Sequence, residues 1–159
     1  MSAFSKTDYF SLISSEISAG RLSGEIIHHP ETDGAKSEDA AKALGTSPDS
    51  ILKSLLLVPE KKEGGVPIVA ILLGNSKLNL KTFPNHRLAR REELPEILGA
   101  GIGEIPPVLL PVPVVVDEGV FQRGFVFGSA GTKFSGLKIA PEEILKANKT
   151  AKRAKISAT

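Results

Sequence analysis

The run Val66 to Gly74, V-P-I-V-A-I-L-L-G, limits the fold more than any other stretch of the chain. It holds no charged or hydroxyl-bearing side chain, so as a strand it is apolar on both faces and belongs inside a sheet, covered above and below. Pro67 lacks an N–H for the ladder and is admissible only near the strand's beginning. Lys53 to Val58, K-S-L-L-L-V, reads as a second strand. The charged, glycine-ended connection Pro59 to Gly65 makes the two antiparallel neighbours. A central strand needs a core around it, and 159 residues with 41% hydrophobic content suffice for one domain.

The flanking segments fit that frame. Ser5 to Asp8 opens a helix whose inward stripe is Tyr9, Leu12 or Ile13, and Ile17, and Gly20 ends it. Arg21 to His28 is extended, with Ile26 and Ile27 directed at the core. Pro30 to Gly34 is turn-like, and Ser37 caps a helix over Glu38 to Leu44 that Gly45 closes. Ser47-Pro48 begins a short helical turn through Ile51. Asn75 to Phe83 is a polar turn leading to a helix or irregular segment, and Arg90 to Leu98 is a helix with Leu94, Ile97 and Leu98 inward. Pro113 to Asp117 is a strand, Glu118-Gly119 a turn, and Phe121 to Gly128 a strand in which Phe121, Phe125 and Phe127 supply most of the aromatic core. Leu137 to Ile139 is the last short strand and Pro141 starts the final helix. Connections this short favour hairpins over successive βαβ units, giving an α/β fold with a mixed, largely antiparallel sheet.

Two loops are rich in special residues. Gly99 to Val108, G-A-G-I-G-E-I-P-P-V, combines glycines that permit positive φ with prolines that fix φ and cannot donate. It either presents main-chain groups to a ligand or is a stiff lead-in to the next strand. Gly128 to Thr132, G-S-A-G-T, is the second.

Much chemistry is excluded. Zero cysteines remove disulfides and thiolate sites. Of three histidines, His28 and His29 are adjacent and His86 is remote, so no metal and no cofactor are expected. No run is long enough to span a membrane and no secretory signal opens the chain, which makes a cytoplasmic protein the expectation. P-loop, dinucleotide and nucleophile-elbow patterns are absent, and no histidine is placed to activate Ser129 or Ser135. Asp117-Glu118 reads as a solvated turn. The net charge is only +2, but Lys146, Lys149, Lys152, Arg153 and Lys155 cluster with no acid among them, and His86, Arg87, Arg90 and Arg91 form a second basic group. Such patches attract nucleic-acid phosphate. For the C-terminal group a solvated face with a frayed end is the expected reading. Lys53, at the end of the apolar row Leu55 and Leu57, either holds an anionic or carbonyl oxygen or marks a strand start with its charge in water.

Ala40-Ala41-x-x-Leu44-Gly45, Ile51-Leu52-Lys53-Ser54-Leu55, Gly99-x-x-x-Gly103-x-x-Pro106-Pro107, Val114-Val115-Val116-Asp117, and Gly128-Ser129-Ala130-Gly131 before Leu137 and Pro141 stand in the order seen in one family. Together they resemble the YbaK-like aminoacyl-tRNA deacylases, which include the editing domain of prolyl-tRNA synthetases and free-standing relatives. The resemblance runs from about Ser37 to Leu145. It makes residues 1–159 a single editing domain around a curved sheet, with 1–36 an N-terminal helix and strand extension and 148–159 a basic tail. It implies metal-independent hydrolysis of the ester of a mischarged tRNA, tRNA as partner, and association with an aminoacyl-tRNA synthetase. Lys53 becomes the catalytic side chain. Gly101, Gly103, Glu104, Ile105, Pro106 and Pro107 become one wall of the substrate pocket, and Gly128, Ser129, Ala130 and Gly131 the opposite wall. Arg87, Arg90, Arg91 and Lys133 would then meet tRNA phosphates. Some relatives carry a histidine after the second loop where Lys133 and Phe134 stand here, and Pro30 to Lys36 lacks the Thr-Val-Glu lead-in of many relatives. The alternative is a non-catalytic tRNA-binding or protein-interaction module, and a third reading is a hydrolase of a small aminoacylated or nucleotide-like metabolite.

Overall fold

A computed structural model describes residues 6–29, 41–42, 44–61 and 65–158. The expected cap at Ser37 and the turn at Pro30 to Gly34 lie outside these residues; Ala41, Lys42 and Leu44 are helical, as expected for that helix's end. Helix α1 (Tyr9–Ser18) begins where the side chain of Asp8 accepts the Ser11 N–H, and it buries Tyr9 and Ile13. Of the two alternatives for the stripe, Ile13 is the inward one, while Leu12 is exposed.

Strands β2 (Leu52–Pro59) and β3 (Ile68–Leu73) pair antiparallel from Leu52↔Leu73 to Leu57↔Ile68. Pro67 immediately precedes β3, where its missing N–H does no harm. β6 (Val114–Asp117) lies parallel to β3 on its far side, and β5 (His86–Leu88) pairs antiparallel with the end of β2. β9 (Ala151–Ala154) runs parallel to β6, completing the five-stranded order β5-β2-β3-β6-β9. β3 is central, and Val69, Ala70, Ile71 and Leu72 are fully buried. The sheet is covered on both faces, as its apolar middle strand requires. Leu52, Leu56, Val58, Val69, Ile71, Val114 and Val116 join the main core on one face. Leu57, Ala70 and Val115 meet Phe83 and Ile156 on the other.

β1 (Glu25–His28), β8 (Ser135–Ile139) and β7 (Val126–Ser129) form a separate antiparallel sheet in the order β1-β8-β7. A single parallel bridge, Ile51↔Phe127, ties it to the start of β2. β4 (Lys77–Leu78) pairs with β10 (Ser157–Ala158). Helices α2 (Glu93–Leu98) and α3 (Pro141–Lys146) complete the mixed α/β fold, in which most strand pairs are antiparallel.

Four expectations are corrected. The C-terminal basic segment is ordered: it supplies β9 and β10, and Ile156 between them is fully buried. Asp117 is not in a solvated turn; it is 1% exposed and accepts the N–H groups of Gly119, Ile156 and Ser157. A buried carboxylate demands such partners, and the C-terminal backbone provides them. Residues Glu118–Gln122 form a 3-10 turn where a bend into a strand from Phe121 was expected. Phe125 consequently lies outside the core at 54% exposure, and Phe127 alone of the three is buried.

Candidate active site

The cleft arises from a mismatch in strand length. β5 reaches only Leu57 to Pro59 of its neighbour, and one more bond, Ala89 N–H to the Leu56 carbonyl at 2.9 Å, ends the pairing. Toward its start, among the described residues, that edge is met again only by Phe127, at Ile51. Between these points the outer edge of β2 looks into a cleft of about 400 Å³. The walls are Leu88, Ala89 and Leu94 on one side, Ile102, Gly103 and Ile105 from the first glycine loop, and Phe127, Gly128, Ser129, Thr132 and Lys133 from the second.

The two loops are fitted to each other. Gly103 has φ +82° and Gly131 φ +103°, conformations that L side chains avoid. Gly128 lies against Pro107, where an added Cβ would come within 2.8 Å of the ring Cδ. The Ser129 hydroxyl is 2.9 Å from the Gly103 carbonyl and 3.1 Å from that of Thr132, and it accepts the Gly131 N–H at 3.0 Å. A hydroxyl so occupied binds one bend to the other and is poorly placed to be a nucleophile.

Both loops are anchored from behind. The Asn148 side chain, 6% exposed, donates to the carbonyls of Pro107 and Ile144 and accepts the Leu110 N–H. Tyr9 donates its hydroxyl to the Leu98 carbonyl at 2.6 Å, Thr7 N–H reaches the Gly99 carbonyl, and Gly131 abuts the Phe10 backbone. Burial pushes the Tyr9 phenol up to about 12.

Lys53, Gly103, Ile105, Gly128, Ser129 and Lys133 therefore line one cleft. Other expected wall residues stand behind it: Pro106, Pro107, Ala130 and Gly131 are buried in support, and Glu104 turns its carboxylate to the Gly101 N–H and the Lys6 ammonium. Lys53 differs in detail from the expectation. Its ammonium donates to the Ser76 carbonyl in the turn after β3, and Ser76 does not line the cleft. Burial, then the charge of Lys77, lowers the Lys53 pKa below the usual lysine value.

The expected phosphate-binding set is divided. Arg87 makes a two-point ion pair with Glu93 at 2.9 and 3.1 Å, fastening β5 to α2. Hydrogen bonds from Arg87 and the Arg90 N–H hold the Glu93 carboxyl down to about 2, and the same pairing raises Arg87. Arg90 pairs with Glu92 and Glu93 at the surface, Arg91 is exposed, and Lys133 alone of the four lines the cleft. Several cleft residues escaped the sequence reading, His29 and Ser54 among them. His29, weighed there only as a metal ligand, is a buried cleft residue whose N–H bonds the Phe134 carbonyl. Ser54 lines the cleft beside Lys53. Strand alternation separates Ser54 from Lys53, but nothing in the sequence says which edge of β2 stays open.

The family model for the aminoacyl-tRNA editing domain matches residues 29–147. The chain belongs to the aminoacyl-tRNA editing domain family. It is 33% identical over 99 residues to the proline–tRNA ligase of Streptococcus gordonii, covering 57% of this chain and 15% of the ligase. Against the Streptococcus mutans ligase it is 29% identical over 134 residues, 76% of this chain and 21% of that one. The chain thus spans only 15% and 21% of those two ligases' length. Among solved structures, a protein provisionally described as a trans-editing enzyme for prolyl tRNA synthetase superposes with a TM-score of 0.79 at 24% identity, covering 98% of this chain and all of that one. The hypothetical protein APE2540 superposes at 0.79 with 27% identity over 92% and 99% of the two chains. These likenesses confirm the editing-domain fold expected from the five motifs. Among the described residues of this editing domain, no helix is long and apolar enough to cross a membrane.

Proposed function

We propose that this editing-domain protein is a trans-acting deacylase that hydrolyses the ester joining a wrong amino acid to the 3′ end of a tRNA, in the cytoplasm. The observation that carries the reading is the single cleft shared by Lys53 and both glycine bends, in a chain of this family. An aminoacyl ester is already labile, so holding it, admitting one water and stabilising developing negative charge accelerate its hydrolysis without a protein nucleophile. The water oxygen bonds to the ester carbonyl carbon. The carbon–oxygen bond to ribose breaks, its electron pair stays on the ribose oxygen, and that oxygen takes a proton from the water. The amino acid leaves with its carboxyl group, and the tRNA regains its hydroxyl.

In this scheme Lys53 leaves the Ser76 carbonyl when substrate enters and meets the terminal phosphate or the carbonyl oxygen, a reach its four-carbon stem allows. Lys133 at the rim meets backbone phosphate, largely without regard to sequence. Editing of this kind answers a physical limit, because one methylene is worth only about 1–3 kcal/mol of discrimination in synthesis. The test is a deacylation panel across mischarged tRNAs. Lys53→Ala is expected to slow hydrolysis of at least one of them about 100-fold, with the melting temperature nearly unchanged. Flat time courses for the wild type across the panel would overturn the reading.

The ammonium's bond to Ser76 favours a second reading, a tRNA-binding module without catalysis. It predicts salt-sensitive tRNA binding with no turnover.

A further inference from the structure

The main chain of β2 alternates its direction, and two hydrogen bonds fix which residues point where. Ile51 accepts the Gly74 N–H, so the odd-numbered residues Ile51, Lys53 and Leu55 turn their N–H and C=O groups toward β3. Leu56 accepts the Ala89 N–H, so the even-numbered residues turn theirs to the outer edge. On that edge Phe127 takes the start of the strand and Ala89 takes Leu56. Ser54 lies between them; it stands opposite Ile71 of β3 in the register, but on the outer edge no described strand pairs with it. Its N–H and C=O therefore face the cleft, which Ser54 lines.

An aminoacyl ester has the same groups at the same spacing as one residue of a strand: an α-amino group, an α-carbon and a carbonyl. Two residues facing each other in an antiparallel pair exchange two hydrogen bonds, N–H to carbonyl in each direction. We propose that Ser54 binds the aminoacyl group as if it were a one-residue strand. The Ser54 N–H donates to the ester carbonyl oxygen, and the Ser54 carbonyl accepts from the α-ammonium. This inference rests on the deacylase reading and assigns the reacting centre of that same site.

The assignment has two consequences. The N–H stays on the ester oxygen as it becomes a tetrahedral oxyanion, a fixed donor where charge develops. The bound side chain leaves the plane of the sheet, so Ser54 recognises amino acids in general while the cleft walls, Leu94 and Ile105 among them, discriminate between side chains.

The test removes the donor alone. Ser54→Pro deletes an N–H that makes no ladder bond with β3, at a strand edge where proline is tolerated, whereas Ser54→Ala keeps the N–H and loses only the hydroxyl. With the most active tRNA from the panel, Ser54→Pro is expected to lower kcat about 100-fold, by the same factor for every amino acid the wild type removes, and Ser54→Ala less than about threefold. Equal losses in the two variants, or a folded Ser54→Pro protein of wild-type kcat, would overturn the proposal while leaving the deacylase reading intact. An inactive wild type would overturn both. Should Ser54→Pro fail to fold, amide NMR of the wild-type chain with a non-hydrolysable 3′-aminoacylamido-adenosine decides. The Ser54 N–H is expected to shift downfield at saturation, further than those of Lys53 and Leu55. An unmoved Ser54 signal in the presence of bound analogue, or no binding of the analogue at all, would overturn the assignment.

Discussion

At one edge of the five-stranded sheet, β5 covers only the end of β2 and leaves Ser54 against a cleft; at the other, β9 pairs with every residue of β6. In the open stretch of β2 from Leu52 to Leu56 only Lys53 is charged, whereas half of β9 is charged. Lys152 and Arg153 on β9 are exposed, and Arg153 lies over the Phe121 ring at 4.5 Å. Charged side chains on an outer strand discourage further strand addition. The contrast teaches that charge density in a sequence is a poor guide to where a ligand goes. An unpaired stretch of backbone beside shaped loops is a better one.

The largest expected effect attacks the closed edge. Asp117→Ala leaves the N–H groups of Ile156 and Ser157 without their acceptor inside the protein, at a cost of about 3 kcal/mol. Thermal denaturation should show a melting temperature lower by about 10 °C, with deacylation per folded molecule retained at low temperature. Lost activity in a folded variant would mean the two edges are coupled.

Next comes the open side. Gly131→Ala places a Cβ 2.6 Å from the Phe10 nitrogen at φ +103°, which should cost about 2 kcal/mol in chemical denaturation. Unlike the Asp117 variant, it is expected to lower activity even where it is folded, because it shifts a cleft loop.

Tyr9→Phe removes the hydroxyl bond to Leu98 and should cost about 1 kcal/mol. It also tests a pH dependence. Folding raises the phenol from 10.0 to about 12, so the native state holds its proton more tightly than the unfolded chain. The associated stability is present below pH 10.0 and fades as pH rises toward about 12. The Phe variant should show a flatter stability profile across that interval.

The smallest effect is expected for Lys152→Ala combined with Arg153→Ala: stability within about 0.5 kcal/mol and tRNA affinity within about twofold. A steep fall in affinity with a reduced salt slope would make β9 an RNA-binding surface and break the contrast between the edges.

Much of the fold was legible because local patterns and burial agree. The unbroken apolar run around Ile71 could only be central, and Pro141 could only open a helix. The cleft was partly legible, since Gly103 and Gly128 require conformations or contacts that other residues resist. What stayed hidden depends on partners distant in sequence. Nothing near Asp117 announces that Ile156 and Ser157 will supply its N–H donors, so the basic segment reads as a loose end. Nothing near Ser54 announces that β5 stops three residues short. Arg87 looks like a phosphate ligand until Glu93 is seen to occupy it.

Residues Lys6 to Phe10 precede the segment that matches the family, which begins at His29. Yet Thr7 holds Gly99, Tyr9 holds Leu98, and Phe10 backs Gly131. Trimming only the N-terminus back to His29, where the family match begins, would therefore unlatch both bends at once. The remainder would keep every strand of the large sheet and lose the common peg that sets the width of the cleft mouth.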